Sequence, residues 1–216
     1  MDDALRVREF WFGKPLTGQL QSQGEAAARA LALKRRASLW FEANPQLIGQ
    51  QDELIRSRFQ DLVERAARGE LAGWADSPRR RLSLIILLDQ FPRHIYRGTA
   101  QAFAHDTQAL GLTLSGMQSA ADGALNIVER IFFYMPLQHA ESTEVQEESV
   151  SAYKRLVAES PAELRSTFEE ALQSAEEHRA LIRLFGRFPH RNQVLGRDST
   201  PEEQAYLKKS SEAFGQ

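Results

Sequence analysis

An all-α fold is what this sequence predicts, and three observations lead there. Side chains return at three- and four-residue spacing in long stretches, most clearly Leu164, Phe168, Ala171, Leu172, Ala175, His178, Leu181, Ile182 and Phe185. Ser160-Pro161-Ala162-Glu163 and Thr200-Pro201-Glu202-Glu203 each read as a capping box with proline at the first helical position. No stretch alternates with period two for long enough to make a strand, and hairpin-type turn dipeptides are absent.

Taken in order, a first helix is expected over 4–12, with Phe10-Trp11-Phe12 docked in the core and Gly13-Lys14-Pro15 ending it. A polar linker follows over 14–23. Good helix formers fill 26–41, and Asn44-Pro45 reads as the stop. The next helix is expected over about 50–68, with Leu54, Ile55, Phe59, Leu62, Val63, Ala66 and Ala67 on one face and Gly69 after it. Trp74 falls in a loop. Asp76-Ser77-Pro78 starts a helix that is apolar nearly all round over 82–88, and so the buried centre of the fold. Thr99 is placed to cap the following helix, whose end Gly111 and Gly116 leave open. Asp122 opens another that Pro136 ends or kinks. One more runs over 142–158, then the striped helix after Ser160, then a last one after Thr200. Short loops make antiparallel neighbours.

At 216 residues the chain is expected to be a single all-helical domain over 1–216, with 1–23 packed on it as N-terminal helix and linker. Lys and Arg number 27 against 29 Asp and Glu, which leaves no basic footprint for nucleic acid or a membrane surface. The absence of cysteine removes disulfides, thiolate nucleophiles and cysteine metal sites, and fits a reducing compartment. The start, Met-Asp-Asp-Ala-Leu-Arg, has no apolar signal region. The longest strongly apolar stretch, 82–88, is far short of the roughly 20 residues a membrane span needs. A soluble, cytoplasmic protein is expected.

One device is stated twice. Leu88-Asp89-Gln90-Phe91-Pro92-Arg93-His94 and Phe185-Gly186-Arg187-Phe188-Pro189-His190-Arg191-Asn192 both pass from an apolar helix through Phe-Pro into basic residues. Each then reaches a turn, Arg97-Gly98-Thr99 or Gly196-Arg197-Asp198-Ser199-Thr200. The residue before proline is pushed out of the α region, so Phe91 and Phe188 are expected to leave their helices. If the segments meet, their arginines make a site for carboxylate or phosphate, with backbone donors from helix starts at Thr99 and Thr200. The competing reading is structural: the arginines tie loops to Asp89, Glu129, Glu141 and helix-end carbonyls.

His178, within an apolar stripe, is a core histidine unless a carboxylate lies near. His139-Ala140-Glu141 follows the Pro136 break, and His and Glu two apart suit a metal ion or proton transfer, a metal site of His139, Glu141 and His178 being the lesser alternative. The Pro-Cys-x-x-Cys partner of zinc deaminases, the His-Glu-x-x-His pair and the phosphate-binding Gly-x-x-x-x-Gly-Lys loop are all missing. No metal or cofactor is predicted. Glu129-Arg130, on a largely apolar helix, calls for paired charges.

Leu87-Leu88-Asp89-Gln90-Phe91-Pro92-Arg93, Tyr96-Arg97-Gly98-Thr99, Gly186-Arg187-Phe188-Pro189-His190-Arg191-Asn192, Leu195-Gly196-Arg197 and Ser199-Thr200-Pro201-Glu202-Glu203 resemble the bacterial domain-of-unknown-function family numbered 924. The resemblance begins at Phe10-Trp11-Phe12-Gly13 and takes in Glu129-Arg130, Tyr134-Met135-Pro136-Leu137, His139 and Glu141. It implies a tetratricopeptide-like superhelix of antiparallel helical hairpins, and it supplies no catalytic residue. His94 stands where that pattern leads one to expect Asn, and Gln138 where it leads one to expect Glu.

Two functions are weighed. In the first, an anionic small molecule is bound inside the helical curve by Arg93, Arg97, Arg187, His190, Arg191, Asn192 and Arg197. His139, His178 or His190 is then the acid or base and Glu141 orients it, so that His139, Glu141 and His178 are the catalytic candidates. In the second, the helices form a scaffold for a peptide or protein partner without catalysis, and the Arg-rich turns are structural.

Overall fold

The computed structural model of the chain describes residues 2–14, 36, 39, 40 and 44–209. All regular structure among them is helical, as the periodicity requires. The expected linker over 14–23 and helix over 26–41 fall almost wholly outside the described residues.

Helix α1 (Asp3–Phe12) is capped by the Asp2 side chain and closed by Gly13 at φ 87°. Its Trp11 ring is buried and packs edge-on against Phe91 (5.6 Å) and Phe132 (5.5 Å). That aromatic cluster pins the N-terminal helix to the centre of the molecule. Helix α2 spans Pro45–Ala67 and starts five residues earlier than expected. Asn44-Pro45 opens it: the Asn44 side chain accepts from the Gln46 N–H and Pro45 takes the first turn, where its missing N–H costs nothing; the expected stop of the preceding helix lies outside the described residues. Ile55, Phe59, Leu62, Val63 and Ala66 are buried, but Leu54, assigned to the same face, is exposed. Trp74 is buried at the edge of the core in a 3₁₀ turn (Ala72–Asp76).

The central rod starts as α3 (Pro78–Ile85), widens into a π turn over Ile86–Gln90 and resumes as α4 (Phe91–Ile95). Every residue from Leu82 to Arg93 is buried. Here the expected exit at Phe91 does not occur: Phe91 stays helical at φ −64°, ψ −35°. The π turn is the physical reason. Its Phe91 N–H reaches back five residues to the Ile86 carbonyl. This resets the register so that Pro92 falls in a new first turn, where no N–H is required.

Helix α5 (Asp106–Gln118) begins later than Thr99, which caps only a 3₁₀ turn (Ala100–Phe103) and turns its hydroxyl back to the Tyr96 carbonyl. Gly116 does not end α5; it lies under Phe133 where a Cβ would be 2.6 Å from Cζ. Helix α6 (Ile127–Gln138) opens at Asn126, not Asp122, with a capping box between Asn126 and Glu129, and it continues through Pro136. The Asp122 carboxylate instead accepts from the Tyr134 hydroxyl. Helix α7 spans Thr143–Glu159 and α8 spans Arg165–Phe185. The box expected at Ser160 does not form, because its hydroxyl donates to the Val157 carbonyl behind it. The box at Thr200 does form, with Glu203 N–H on Thr200 Oγ1 (3.2 Å) and Thr200 N–H on Glu203 Oε2 (2.8 Å), and starts α9 (Pro201–Lys209).

One apolar core runs from α1 to α8; Leu181, Ile182 and Phe188 make a smaller cluster beside it. No described helix is long and apolar enough to cross a membrane.

Candidate functional site

Seven side chains from six segments close a ring. Asp89, on the π turn, is fully buried, and His139, just after α6, places Nδ1 2.7 Å from its Oδ1. The His139 ring lies 6.3 Å from that of His178 on α8, and His178 lies 5.4 Å from the Phe188 ring. Phe188 carries the Arg191 guanidinium on its face, 4.5 Å from the centroid. Arg191 donates to Asp106 Oδ2 at 3.2 Å. Arg93 grips both oxygens of Asp106 at 2.9 Å, and its Nη1 returns to the Asp89 carbonyl at 2.5 Å and lies 3.3 Å from Oδ1. Phe103 packs on both guanidinium groups.

The local backbone explains these positions. The π turn points Asp89 inward, and Gly186 at φ 71° ends α8 so that Phe188 (φ −89°, ψ 107°) leaves the helix as expected. Glu141 and Arg197 then hold that exit. The Phe188 N–H donates to Glu141 Oε1 (2.8 Å), and Arg197 donates to both Glu141 oxygens (2.7 and 3.0 Å) and to the Phe188 carbonyl (3.1 Å).

Burial raises the Asp89 carboxyl, but the imidazole of His139, the charge of Arg93 and the Gln90 amide outweigh that and keep it ionised. An ionised carboxylate only accepts, so the His139 proton sits on Nδ1 and Nε2 carries the lone pair. Burial, followed by repulsion from Arg93, lowers the pKa of His139 although Asp89 opposes them. The imidazole is therefore neutral at pH 7. At that pH it supports Asp89 as a hydrogen-bond donor, and Arg93 supplies the charge. His178, bonded through Nδ1 to the Ser174 carbonyl (2.7 Å), is pushed down to about 4 by burial and then by His139. His190 is pushed to about 4 by burial and by Arg191. Arg191, only 6% exposed, is lowered to about 10 by burial and then by Arg93. The result is a neutral nitrogen base beside two buried cations.

The expected residues divide accordingly. Arg93, Arg191, His139 and His178 come together, with His190 stacked on Phe188 at 5.6 Å. Arg97 does not join them: it is paired with Asp52 (2.7 and 3.0 Å), which also takes His94. Arg187 grips Glu203 (2.7 and 2.9 Å), Asn192 donates to the same carboxylate, and Arg197 holds Glu141. Glu141 therefore does not orient His139; Asp89 does. Arg8 meets Glu129, and Arg130 meets Glu159, so the charged pair on α6 is satisfied. Gln138 accepts from Ser174. Among the described residues no three His, Asp or Glu side chains gather as a metal ion would need. Sequence reasoning missed Asp106 and Phe103. A charge count held the signal for the first: two acids in the Phe-Pro segments cannot neutralise their five arginines, so acids elsewhere must turn inward.

The chain belongs to the bacterial family of proteins of unknown function DUF924, which matches residues 7–211. It is similar to a solved structure, a protein of unknown function, ATU0120, from Agrobacterium tumefaciens. The two are 35% identical with a TM-score of 0.71, over 87% of this chain and 99% of that one. No curated protein matches.

Proposed function

We propose that the ring binds a small anionic molecule, with Arg93 and Arg191 as the cationic holders and His139, oriented by Asp89, as the proton-transfer group. One observation carries this reading. Arg191 is buried between two phenylalanine rings, shares with Arg93 the one carboxylate it meets among the described residues, and leaves Nε sealed from solvent without an acceptor there. Arg8, Arg81 and Arg130 also leave Nε without an acceptor, so the weight lies on the shared carboxylate: Arg187 and Arg97 each grip both oxygens of a carboxylate that no second described arginine takes. Under this reading Arg97, Arg187, Asn192 and Arg197 hold the loops in place, and His190 lines the approach. Packing of α6, α7 and α8 in sequence through short connections supports a tetratricopeptide-like superhelix of antiparallel hairpins. The lack of cysteine supports a cytoplasmic setting.

A thermal-shift screen of anionic metabolites, comparing wild type with Arg191→Met, tests the reading. A ligand at about 100 times its Kd adds about 2.7 kcal/mol. At about 2–4 °C per kcal/mol for a chain of this size, that is a shift of about 5–11 °C. The shift is expected in wild type and lost in the variant. An equal shift in both removes Arg191 from binding. No shift with any anion favours the partner-binding scaffold, for which exposed Leu47, Leu54 and Leu184 are the first residues to probe.

A further inference from the structure

The arginines of the two Phe-Pro segments and their turns differ in one respect. A guanidinium has a side-on fork, Nε with Nη2, and an end-on fork, Nη1 with Nη2, each matched to two oxygens of a carboxylate or phosphoryl group. Arg97 fills its side-on fork with Asp52, and Arg187 with Glu203. Arg93 fills its end-on fork with Asp106. Arg197 fills the end-on fork with Glu141 and spends Nε on Asn192. Arg191 alone of these leaves the side-on fork unused, with Nη1 on Asp106 and no acceptor for Nε or Nη2 among the described residues. It does so while buried, where an unmade hydrogen bond is most costly.

The ring is also balanced in charge without a ligand. Arg93 and Arg191 offset Asp89 and Asp106, and the histidines are neutral. An anion placed there leaves an excess negative charge among buried groups unless a proton comes with it. His139 is built to take that proton. Its Nδ1–H is fixed on an ionised carboxylate, Nε2 has no hydrogen-bond partner among the described residues, and protonation of Nε2 makes an imidazolium already paired with Asp89.

Resting on the anion-binding reading above, we propose that an oxyanion occupies the side-on fork of Arg191 and is taken up together with one proton on His139 Nε2. The site is then a coupled anion–proton site, and its ligand class is a carboxylate or a phosphoryl or sulfuryl group. The charges that bear on this titration are Asp89 and Arg93 from the central rod, Asp106 from α5, His178 from α8, and Arg191 and His190 from the second Phe-Pro turn, with Glu141 acting on the latter two. Burial and then repulsion from Arg93 lower the pKa of His139. A bound anion offsets the second.

Sodium sulfate is the probe, because it stays fully ionised across the pH range used. Isothermal titration of the full chain at pH 6.5, in two buffers of different ionisation heat, is expected to show uptake of close to one proton per sulfate. The Kd is expected to weaken towards tenfold per pH unit between pH 6 and 8, the linkage limit for one proton. His139→Gln is expected to bind sulfate without proton uptake. Arg191→Lys keeps the charge without the fork and is expected to lose most of the affinity. Sulfate binding with no buffer dependence and a flat Kd overturns the proton coupling and leaves the anion-binding reading standing. Uptake that survives in His139→Gln overturns the assignment to that nitrogen. Undiminished binding by Arg191→Lys overturns the fork. Absence of sulfate, phosphate and acetate binding in wild type overturns both the coupling and the reading beneath it.

Discussion

Arg191→Met separates a functional arginine from a structural clamp. A guanidinium held at about 10 in place of its ordinary 12.5 carries a penalty on its charged form of about 3 kcal/mol. Methionine removes that penalty, the orphaned Nε and the repulsion of Arg93, while Asp106 keeps both of its bonds to Arg93. Against this stand two ring contacts, at 4.6 and 4.5 Å, each worth about 0.5–2 kcal/mol. Methionine returns about 0.3–1.5 kcal/mol of each through sulfur–aromatic packing. The balance runs from about zero to about 3 kcal/mol in favour of the variant, since a hydrophobic replacement of a poorly paired buried ion is often neutral or stabilising. Differential scanning calorimetry is expected to give a Tm unchanged or higher by up to about 12 °C. A Tm lower by more than about 6 °C, with the helical spectrum intact, refutes the argument. Arg191 then holds the two Phe-Pro segments together and is no reserve of binding energy.

Three further perturbations have definite signs. Asp106→Asn strands two buried arginines against each other and is expected to cost about 3–5 kcal/mol, or about 6–20 °C in Tm; a loss under about 2 °C by the same melt denies Asp106 its central place. His178 is held at about 4 against an ordinary 6.5, so below pH 6.5 the unfolded chain takes a proton that the folded chain refuses, and stability falls as pH drops towards 4. Melts at pH 7 and 4.5 are expected to differ by roughly 2 kcal/mol from this residue, before the carboxylates matter, and His178→Asn is expected to flatten the slope; an unchanged slope in the variant counts against the assignment. Gly116→Ala places a Cβ 2.6 Å from Phe133 Cζ and 2.9 Å from Arg81 Cδ, and is expected to destabilise by about 1–3 kcal/mol in a denaturant titration despite alanine's better helix propensity.

What was legible in the sequence followed from local chemistry. The stripe on α8, the box at Thr200 and the buried run over 82–88 depend on spacing that any reader can count. Asn44-Pro45 shows the limit, because such a pair suits the end of one helix as well as the start of the next, and propensity alone does not reveal the cap on Gln46 that starts α2 here. Ser160 shows another: its hydroxyl had a carbonyl behind it and an N–H ahead, and the tertiary path decided between them. The candidate site was half visible. Its cations stand in two recognisable segments, but their carboxylate partners are spread from Asp52 to Glu203. Which arginine is satisfied and which is not depends on contacts between residues far apart in the chain. Arg191 reaches back 85 residues to Asp106. No pattern in the chain ranks Arg191 above Arg187.

The two Phe-Pro segments also show how like sequences diverge. Gly186 supplies a left-handed residue before the second proline, so α8 ends there and Phe188 swings out to stack on Arg191. The first segment has Asp89-Gln90 in that place and no glycine, so the chain stays helical and absorbs Pro92 by widening into a π turn. The widening comes at Asp89, and π turns gather at functional positions because they re-aim a side chain at little cost to the helix. Here the re-aimed side chain is the one that orients His139. An exit like that of Phe188 at the first segment takes Asp89 off the central rod and leaves His139 without its acceptor. The asymmetry between the two segments is therefore what the ring requires: one must end a helix to deliver an arginine, and the other must not.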